Sequence, residues 1–319
     1  MSVSVIICTW NRSTQLAATL SSLAMQTGVA GTPIEVLVVD NNSTDQTPEL
    51  VASLASDWQL GALRYIFEPR QGKQFALNAG IRAAQHKLLL FSDDDVSFTH
   101  NWIAATIDLF RLGGVELAGG KNIIQWPDCG PPDWYVDEFQ AVLGGVDLGP
   151  YRLLPAPGNF APAGGNLAAT RQLFEKVGLF SETHFRHMDH EFGMRCQEAG
   201  VCIVYEPVMV IQVPVDERCL SRRYFQRWAF KAGIAPSVCS AVGHDGGTAV
   251  PRWLYRQLVE DGCAVMFSRL RLGPQSFTRE MRLWRAWGTV CNAWYAMLWP
   301  RRHAEWVQRN SQKKNNAIY

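Results

Sequence analysis

Through the first 125 positions, short apolar, β-branched runs alternate with segments whose apolar residues fall three or four apart. Residues 3–8, 35–39, 63–67 and 87–91 have the length and composition of strands. Residues 15–25, 47–54, 74–84 and 102–112 carry the helical period between or after them, with Ser13 and Ser43 where N-caps belong. This rhythm predicts an α/β fold, a mostly parallel twisted sheet flanked by helices on both faces. In such sheets ligands bind beyond the carboxyl ends of the strands, so the residues just after each strand are the ones to search.

Between residues 125 and 165 the chain becomes rich in Pro and Gly (PDCGPPDW, GPYRLLPAPGNFAPAGG), too long for an ordinary connection and therefore expected to be a functional loop region. Regular structure is expected to return over 171–177, with a helix near 191–199 and a strand over 201–205. From Leu220 onward the pattern is helical, in three segments broken near residues 243–247 and at Gly273-Pro274, with a polar, frayed end. The expected division is a domain over residues 1–220 and a helical, basic, Trp-rich appendage over 221–319.

Composition narrows the function classes. The 319 residues carry a formal net charge of +1, which excludes a globally basic nucleic-acid binder. The eight cysteines are scattered without a CxxC pair, the usage of reduced thiols. Met1-Ser2 leads straight into an apolar strand with no positive n-region, so a cytoplasmic location is expected. Charge is uneven: twelve Lys/Arg face four Asp/Glu from Arg252 to the end, where six of the twelve Trp also lie. Residues 286–300 are apolar but shorter than a spanning helix needs. Trp and Arg together predict a helix on an anionic membrane surface, at the inner face of the cell membrane; the alternative is packing on the first domain or on a dimer partner.

Candidate chemistry sits at strand ends. Asp40 closes the second strand in VVDNNSTD, where a carboxylate can accept from a base N–H or a ribose hydroxyl, or can serve as an Asx-turn or helix cap. Asp93, Asp94 and Asp95 follow the fourth strand. Three adjacent carboxylates repel unless a cation neutralises them, and hard oxygen ligands suit Mg²⁺ or Mn²⁺. Alternation along an extended segment puts Asp93 and Asp95 on one side and Asp94 on the other. Asp189 and Glu191 precede an amphipathic helix, and Asp189 is placed either as a helix cap or as a general base. His184, His187 and His190 lack the spacing of a zinc site.

Taken in order, six stretches resemble the family-two inverting glycosyltransferases of GT-A fold: VSVIICTWNR (3–12), EVLVVDNNSTD (35–45), GKQFALNAGIRAA (72–84), LLLFSDDDV (88–96), APAGGNLAATR (161–171) and MDHEFGMRCQEAG (188–200). The resemblance implies transfer of a sugar from a nucleotide-diphosphate sugar (UDP, dTDP or GDP) to an acceptor hydroxyl of a saccharide or lipid-linked saccharide. The setting it implies is bacterial surface polysaccharide or glycolipid assembly. It implies that Thr9 and Asn11 border the nucleotide, Asp40 holds the base, Arg70 touches base or phosphate, and Asp93 and Asp95 form the DxD pair, with Asp95 ligating Mg²⁺ or Mn²⁺. Gly164, Gly165 and Asn166 match the loop beneath donor sugar and acceptor, Asp189 the general base. Glu191, Arg195 and Arg227 match supporting positions, Arg195 as the orienter of the base.

Two departures stand out. Met188 replaces the acidic residue that the family carries before its base, and Tyr224 stands at the Gln position of the QxxRW motif of processive members, which favours addition of a single sugar. Arg222, Arg223, Arg227 and Lys231 still form a basic stripe. The rival readings are a haloacid-dehalogenase-like phosphatase, whose motif belongs on an early strand, and a sugar-nucleotide-binding or scaffold protein without catalysis.

Overall fold

The computed structural model describes residues 1–158, 160–182, 188–234, 250–268 and 274–312. The elements run β1 (Val3–Thr9), α1 (Ser13–Ala24), β2 (Ile34–Asp40), α2 (Thr47–Ala55), β3 (Ala62–Phe67), α3 (Lys73–Ala83), β4 (Leu88–Ser92), β5 (Ser97–Phe98), α4 (Trp102–Arg111), β6 (Leu117–Gln125), β7 (Asn166–Thr170), α5 (Arg171–Val177), α6 (Met188–Glu198) and β8 (Ile203–Pro214). They are followed by α7 (Arg222–Gly233), α8 (Arg252–Ser268), α9 (Pro274–Leu298) and α10 (Pro300–Gln312).

One sheet has the order β3-β2-β1-β4-β7-β6-β8-β5. The first four strands are mutually parallel, β7 runs antiparallel to both its neighbours, and β6 and β8 are parallel. The fully buried runs VSVIICT and IEVLVVD explain why the interior strands show no polar alternation: both faces are covered. Strand period still sorts them. Val5, Ile7, Val36, Val38 and Leu90 pack with α1 and α4, around Leu16, Leu20 and Trp102. Ile6, Leu37, Val39, Leu89 and Phe91 pack with α3, α5 and α6, around Leu77, Phe174 and Phe192. Each such fully buried side chain contributes about 1.5–3 kcal/mol. The predicted α/β architecture is present.

Several sequence expectations shift in detail. β8 is a twelve-residue strand extending well past residue 205, and β6 and β7 arise where no strand was expected. Ser43 does not cap α2, which starts at Thr47. Its hydroxyl instead accepts from the Asn11 N–H, and its own N–H donates to Asp40. The N-cap position of α1 is Arg12, not Ser13. The seven cysteines among the described residues are free; Cys239, like the break expected at 243–247, lies outside them.

The chain divides into two compact units, one of Met1–Gln125 with Gly144–Pro214 and another of Trp126–Leu143 with the described residues of Val215–Ser311. In the second unit α9 lies very close to α7. A Cβ on Gly233 would meet the Arg285 carbonyl at 2.1 Å, and one on Gly288 the Phe230 carbonyl at 2.2 Å. Phe225 meets Trp134 and Phe277 edge to face in the same unit, and Trp134 and Phe277 pack tilted against each other. Ala286 and Val290 are buried against Leu254 of α8, so the inner half of the apolar stretch at 286–300 is core. No helix among the described residues is long and apolar enough to cross a membrane.

Candidate functional site

The loops after β1, β2 and β3 tie themselves together. Asn11, at φ +52°, accepts the Thr44 N–H at 2.7 Å through its side-chain oxygen. Asp40, fully buried, accepts the Ser43 N–H at 2.8 Å on one oxygen and the Tyr65 hydroxyl at 2.6 Å on the other. One oxygen thus closes the turn onto the residue three positions on, in place of the two of an Asx-turn, and the second already faces a phenol. Burial and the Asp40 carboxylate push the Tyr65 phenol above its ordinary range. Thr9 is buried beside this turn at the end of β1.

Arg70 is half exposed, held by the Glu68 carboxylate at 2.9 and 3.0 Å and stacked 4.5 Å over the Phe75 ring. Asn41, which the sequence did not single out, fastens this loop: its amide donates to the Arg70 carbonyl at 2.6 Å and accepts the Gly72 N–H at 2.7 Å. Gly72 has φ +145°, a conformation that only glycine adopts without strain, and it delivers the chain into α3.

The acidic run sits at the carboxyl end of β4. Asp94 turns inward, its side chain 7% exposed, while those of Asp93 and Asp95 are 34% and 36% exposed. Two cations meet them. Lys73 Nζ, on the first turn of α3, pairs with Asp93, and Arg12 Nη1 donates to Asp94 at 3.2 Å and to Asp95 at 2.6 Å. Burial and then the charge of Asp95 push the Asp94 carboxyl up to about 6, and burial and Asp93 raise that of Asp95. Burial opposes the Lys73 charge, but Asp93 outweighs it and keeps the ammonium above its ordinary range. The site is therefore short of positive charge even with both cations in place.

A glycine pair links this run to Asp189. The Gly164 N–H donates to Asp189 Oδ2 at 2.9 Å, and a Cβ on Gly165 would lie 2.7 Å from Asp93 Oδ2. Lys73 also feels the charge of Asp189. Asp189 lies in the first turn of α6, and its other oxygen accepts the His190 N–H at 2.9 Å. Asn166 faces inward and is fully buried. It accepts from Trp102 Nε1 at 2.9 Å and donates to the Met209 carbonyl at 2.9 Å and Asn122 Oδ1 at 3.0 Å. Its amide thus locks β7 to β6, β8 and α4.

Arg195 pairs with Glu191 at 2.5 Å and reaches the Val177 and Leu179 carbonyls, so its guanidinium anchors α6 to the segment before it and is given to Glu191 rather than to Asp189. Met188, where the resemblance expects an acid, is buried in the core beside Phe192. Arg227 lies on α7 of the second unit. His184 and His187 lie outside the described residues.

No three His, Cys, Asp or Glu side chains form a ready-made metal cage among the described residues. The donor set nonetheless fits a hard divalent cation. Asp93 and Asp95 are carboxylates about a third exposed on the open side, and Mg²⁺-type ions take one or two carboxylates with water and substrate phosphates completing the shell.

Residues 4–143 match the family model described as glycosyl transferase family 2. Glycosyltransferase AglE of Haloferax volcanii is 31% identical over 203 residues, 64% of each chain. Chondroitin synthase of Escherichia coli is 25% identical over 234 residues, 62% of this chain and 32% of its own. The chain thus spans less than two thirds of the length of these relatives. A mannosyltransferase from Pyrobaculum calidifontis, solved with GDP-Man and Mn2+, superposes with a TM-score of 0.56 at 18% identity, covering 97% of this chain and 84% of that one. At that identity the likeness speaks for the fold, which is GT-A. With the six motifs in order and the acidic run at the carboxyl end of β4 in such a sheet, residues 4–143 are similar to glycosyl transferase family 2, and the fold is that of GT-A glycosyltransferases.

Proposed function

We propose that this chain is an inverting glycosyltransferase, with residues 1–220 as its catalytic domain. It takes a sugar from a nucleotide-diphosphate donor and places it on an acceptor hydroxyl in polysaccharide or glycolipid assembly. The observation that carries this reading is the Gly164-Gly165 strip, which bonds to Asp189 on one residue and abuts Asp93 with the next. A proton acceptor and a diphosphate-facing carboxylate thus flank two residues without side chains, leaving room for a sugar ring.

Asp189 takes the proton of the acceptor hydroxyl as that oxygen bonds to the anomeric carbon. The bond to the diphosphate oxygen breaks on the opposite face, and the electron pair leaves with the nucleoside diphosphate. Lys73, paired with Asp93 and within reach of the charge of Asp189, supports the charge on the leaving group. Asp93 and Asp95 would hold Mg²⁺ or Mn²⁺, whose chemistry is charge neutralisation on the diphosphate. Thr9, Asn11, Asp40 and Arg70 border the nucleotide. In this reading the Tyr65 hydroxyl gives way at Asp40, and Arg70 already carries its charge at a half-exposed position. A phosphatase reading leaves Asp189 without a task.

Attachment to an anionic membrane belongs to the same proposal. Exposed apolar residues lie on α8, where Trp253, Val259, Met266 and Phe267 are 59–69% exposed in the company of Arg252 and Arg256, and again around the end of α9, at Trp294, Met297, Leu298 and Trp299. Aromatic and basic side chains together suit the headgroup zone.

Release of nucleoside diphosphate from a panel of UDP-, dTDP- and GDP-sugars, with Mn²⁺ or with chelator, tests the function. Cation-dependent release that disappears in Asp95→Ala is the expected result. Release by no donor, with a saccharide acceptor mixture present, would remove the reading.

A further inference from the structure

Arg12 does something the acidic run alone does not explain. It sits in the turn between β1 and α1, and a single guanidinium nitrogen, Nη1, reaches Asp94 at 3.2 Å and Asp95 at 2.6 Å. The two carboxylates differ in what they can do next. Asp94 is enclosed and cannot turn to solvent, whereas Asp95 is a third exposed and stands beside Asp93 on the open side. Arg12 is itself only 27% exposed, so its guanidinium is confined near these carboxylates rather than swinging freely in water.

We propose that Arg12 is an exchangeable counter-ion: it holds Asp94 and Asp95 together while no divalent cation is bound, and releases Asp95 when a cation arrives with the donor diphosphate. The inference rests on the reading of Asp93 and Asp95 as metal-facing carboxylates. A divalent cation ligates a carboxylate oxygen at about 2.1 Å. A guanidinium kept on the same carboxylate would then place three positive charges within a few ångströms, and like charges at that range repel strongly even at the dielectric of a protein surface. Asp95 therefore cannot serve both, while Asp94, buried and out of the open side, keeps Arg12 tethered.

The released part of Arg12 then faces the anion that the cation brings with it. A planar guanidinium suits phosphate oxygens, which it can bond in pairs. Cation and diphosphate are thereby coupled through one side chain. The cation alone must compete with Arg12, and the pair together gives Arg12 a new partner. By linkage the coupling is reciprocal: whatever the diphosphate does for cation affinity, the cation does for diphosphate affinity.

Calorimetric Mn²⁺ titrations of wild type and Arg12→Gln, each alone and with saturating UDP or GDP, test this. Without nucleotide, Arg12→Gln is expected to bind Mn²⁺ about two- to fivefold tighter, the size of one partly exposed ion pair. With nucleotide the variant loses most of the cooperative gain that wild type shows. A merely structural arginine predicts the reverse, weaker Mn²⁺ binding in both conditions, and unchanged or weaker binding of Mn²⁺ alone overturns the proposal. Should Arg12→Gln fail to fold, side-chain ¹⁵N resonances of arginine in the wild type, with Arg12 assigned as the signal missing from Arg12→Lys, decide instead. That signal is expected to shift on saturation with Mg²⁺ and nucleotide, and a signal that stays in place rejects the exchange. If wild type binds no divalent cation with or without nucleotide, the metal reading of Asp93 and Asp95 falls as well, an outcome distinct from the others.

Discussion

Gly165→Ala isolates the link between the glycine strip and Asp93. The added Cβ would sit 2.7 Å from Asp93 Oδ2 and 3.1 Å from its Cγ, so the carboxylate must retreat by about 0.7 Å to reach the 3.4 Å of ordinary contact. Gly165 is not among the residues with positive φ, so alanine is compatible with the backbone, and lowered unfolded-state entropy offsets part of the crowding. Stability is expected to stay within about 1 kcal/mol of wild type, because the atom in the way is the end of a side chain. Function is expected to suffer far more. Misplacing a reacting or metal-facing group by about 1 Å can cost on the order of 100-fold, so kcat/KM for cation-dependent transfer should fall roughly 10- to 100-fold. Thermal unfolding and initial rates against donor concentration, measured on the same preparation, provide the test. A large loss of melting temperature would make the contact structural. Unchanged kcat/KM with unchanged stability would show that Asp93 need not be held in this register, and the carboxylate-flanked strip would lose its meaning.

Asp189→Asn should bind nucleoside diphosphate with Mn²⁺ as tightly as wild type by calorimetry, while kcat falls by about 10²–10⁴; full turnover would displace Asp189 as the base. In chelator, the raised Asp94 carboxyl means that the folded chain binds a proton more tightly than the unfolded one. Stability from this group is then present at low pH and lost as pH rises from about 4 through about 6, by about 3 kcal/mol for a shift from 3.8 to about 6. Asp94→Asn should flatten that slope in denaturant titrations, and an unchanged slope would argue against a protonated Asp94. Asn166→Ala should cost about 3 kcal/mol of stability by orphaning Trp102 Nε1 and the Met209 carbonyl, and a neutral result in urea unfolding would contradict the buried network. Replacing Trp253 and Phe267 with Glu should abolish low-salt co-sedimentation with anionic vesicles if α8 is the contact, and retained binding would move the membrane element elsewhere.

The parts of this molecule that were legible in its sequence are those whose signal is local. β1, β2 and β4 are continuous β-branched or leucine runs because both their faces are covered, and an acidic run after such a strand announces itself by charge alone. β6 and β7 were not legible because their sequences answer to neighbours rather than to strand propensity. Gly120 in LAGGKNIIQ is a glycine since a Cβ there would lie 2.1 Å from the Met209 carbonyl, and NLAAT is small and polar where Asn166 threads its amide between strands. The same reason hid the counter-ions. Arg12 and Lys73 lie 83 and 20 positions from the carboxylates they meet, and only the order β2-β1-β4, which sets β1 beside β4, brings the first of them to Asp95. Motif matching marked Asn166 as part of a ligand loop and Arg195 as the orienter of Asp189, since a motif records position and not the direction a side chain takes. The structure turns Asn166 inward and gives Arg195 to Glu191. The departure at Met188 is explained by the same logic. A residue that faces the core beside Phe192 is enclosed among apolar side chains, where an acid would lose its solvation, so the carboxylate at this place is the neighbouring Asp189 that the Gly164 N–H holds, the one proposed above as proton acceptor.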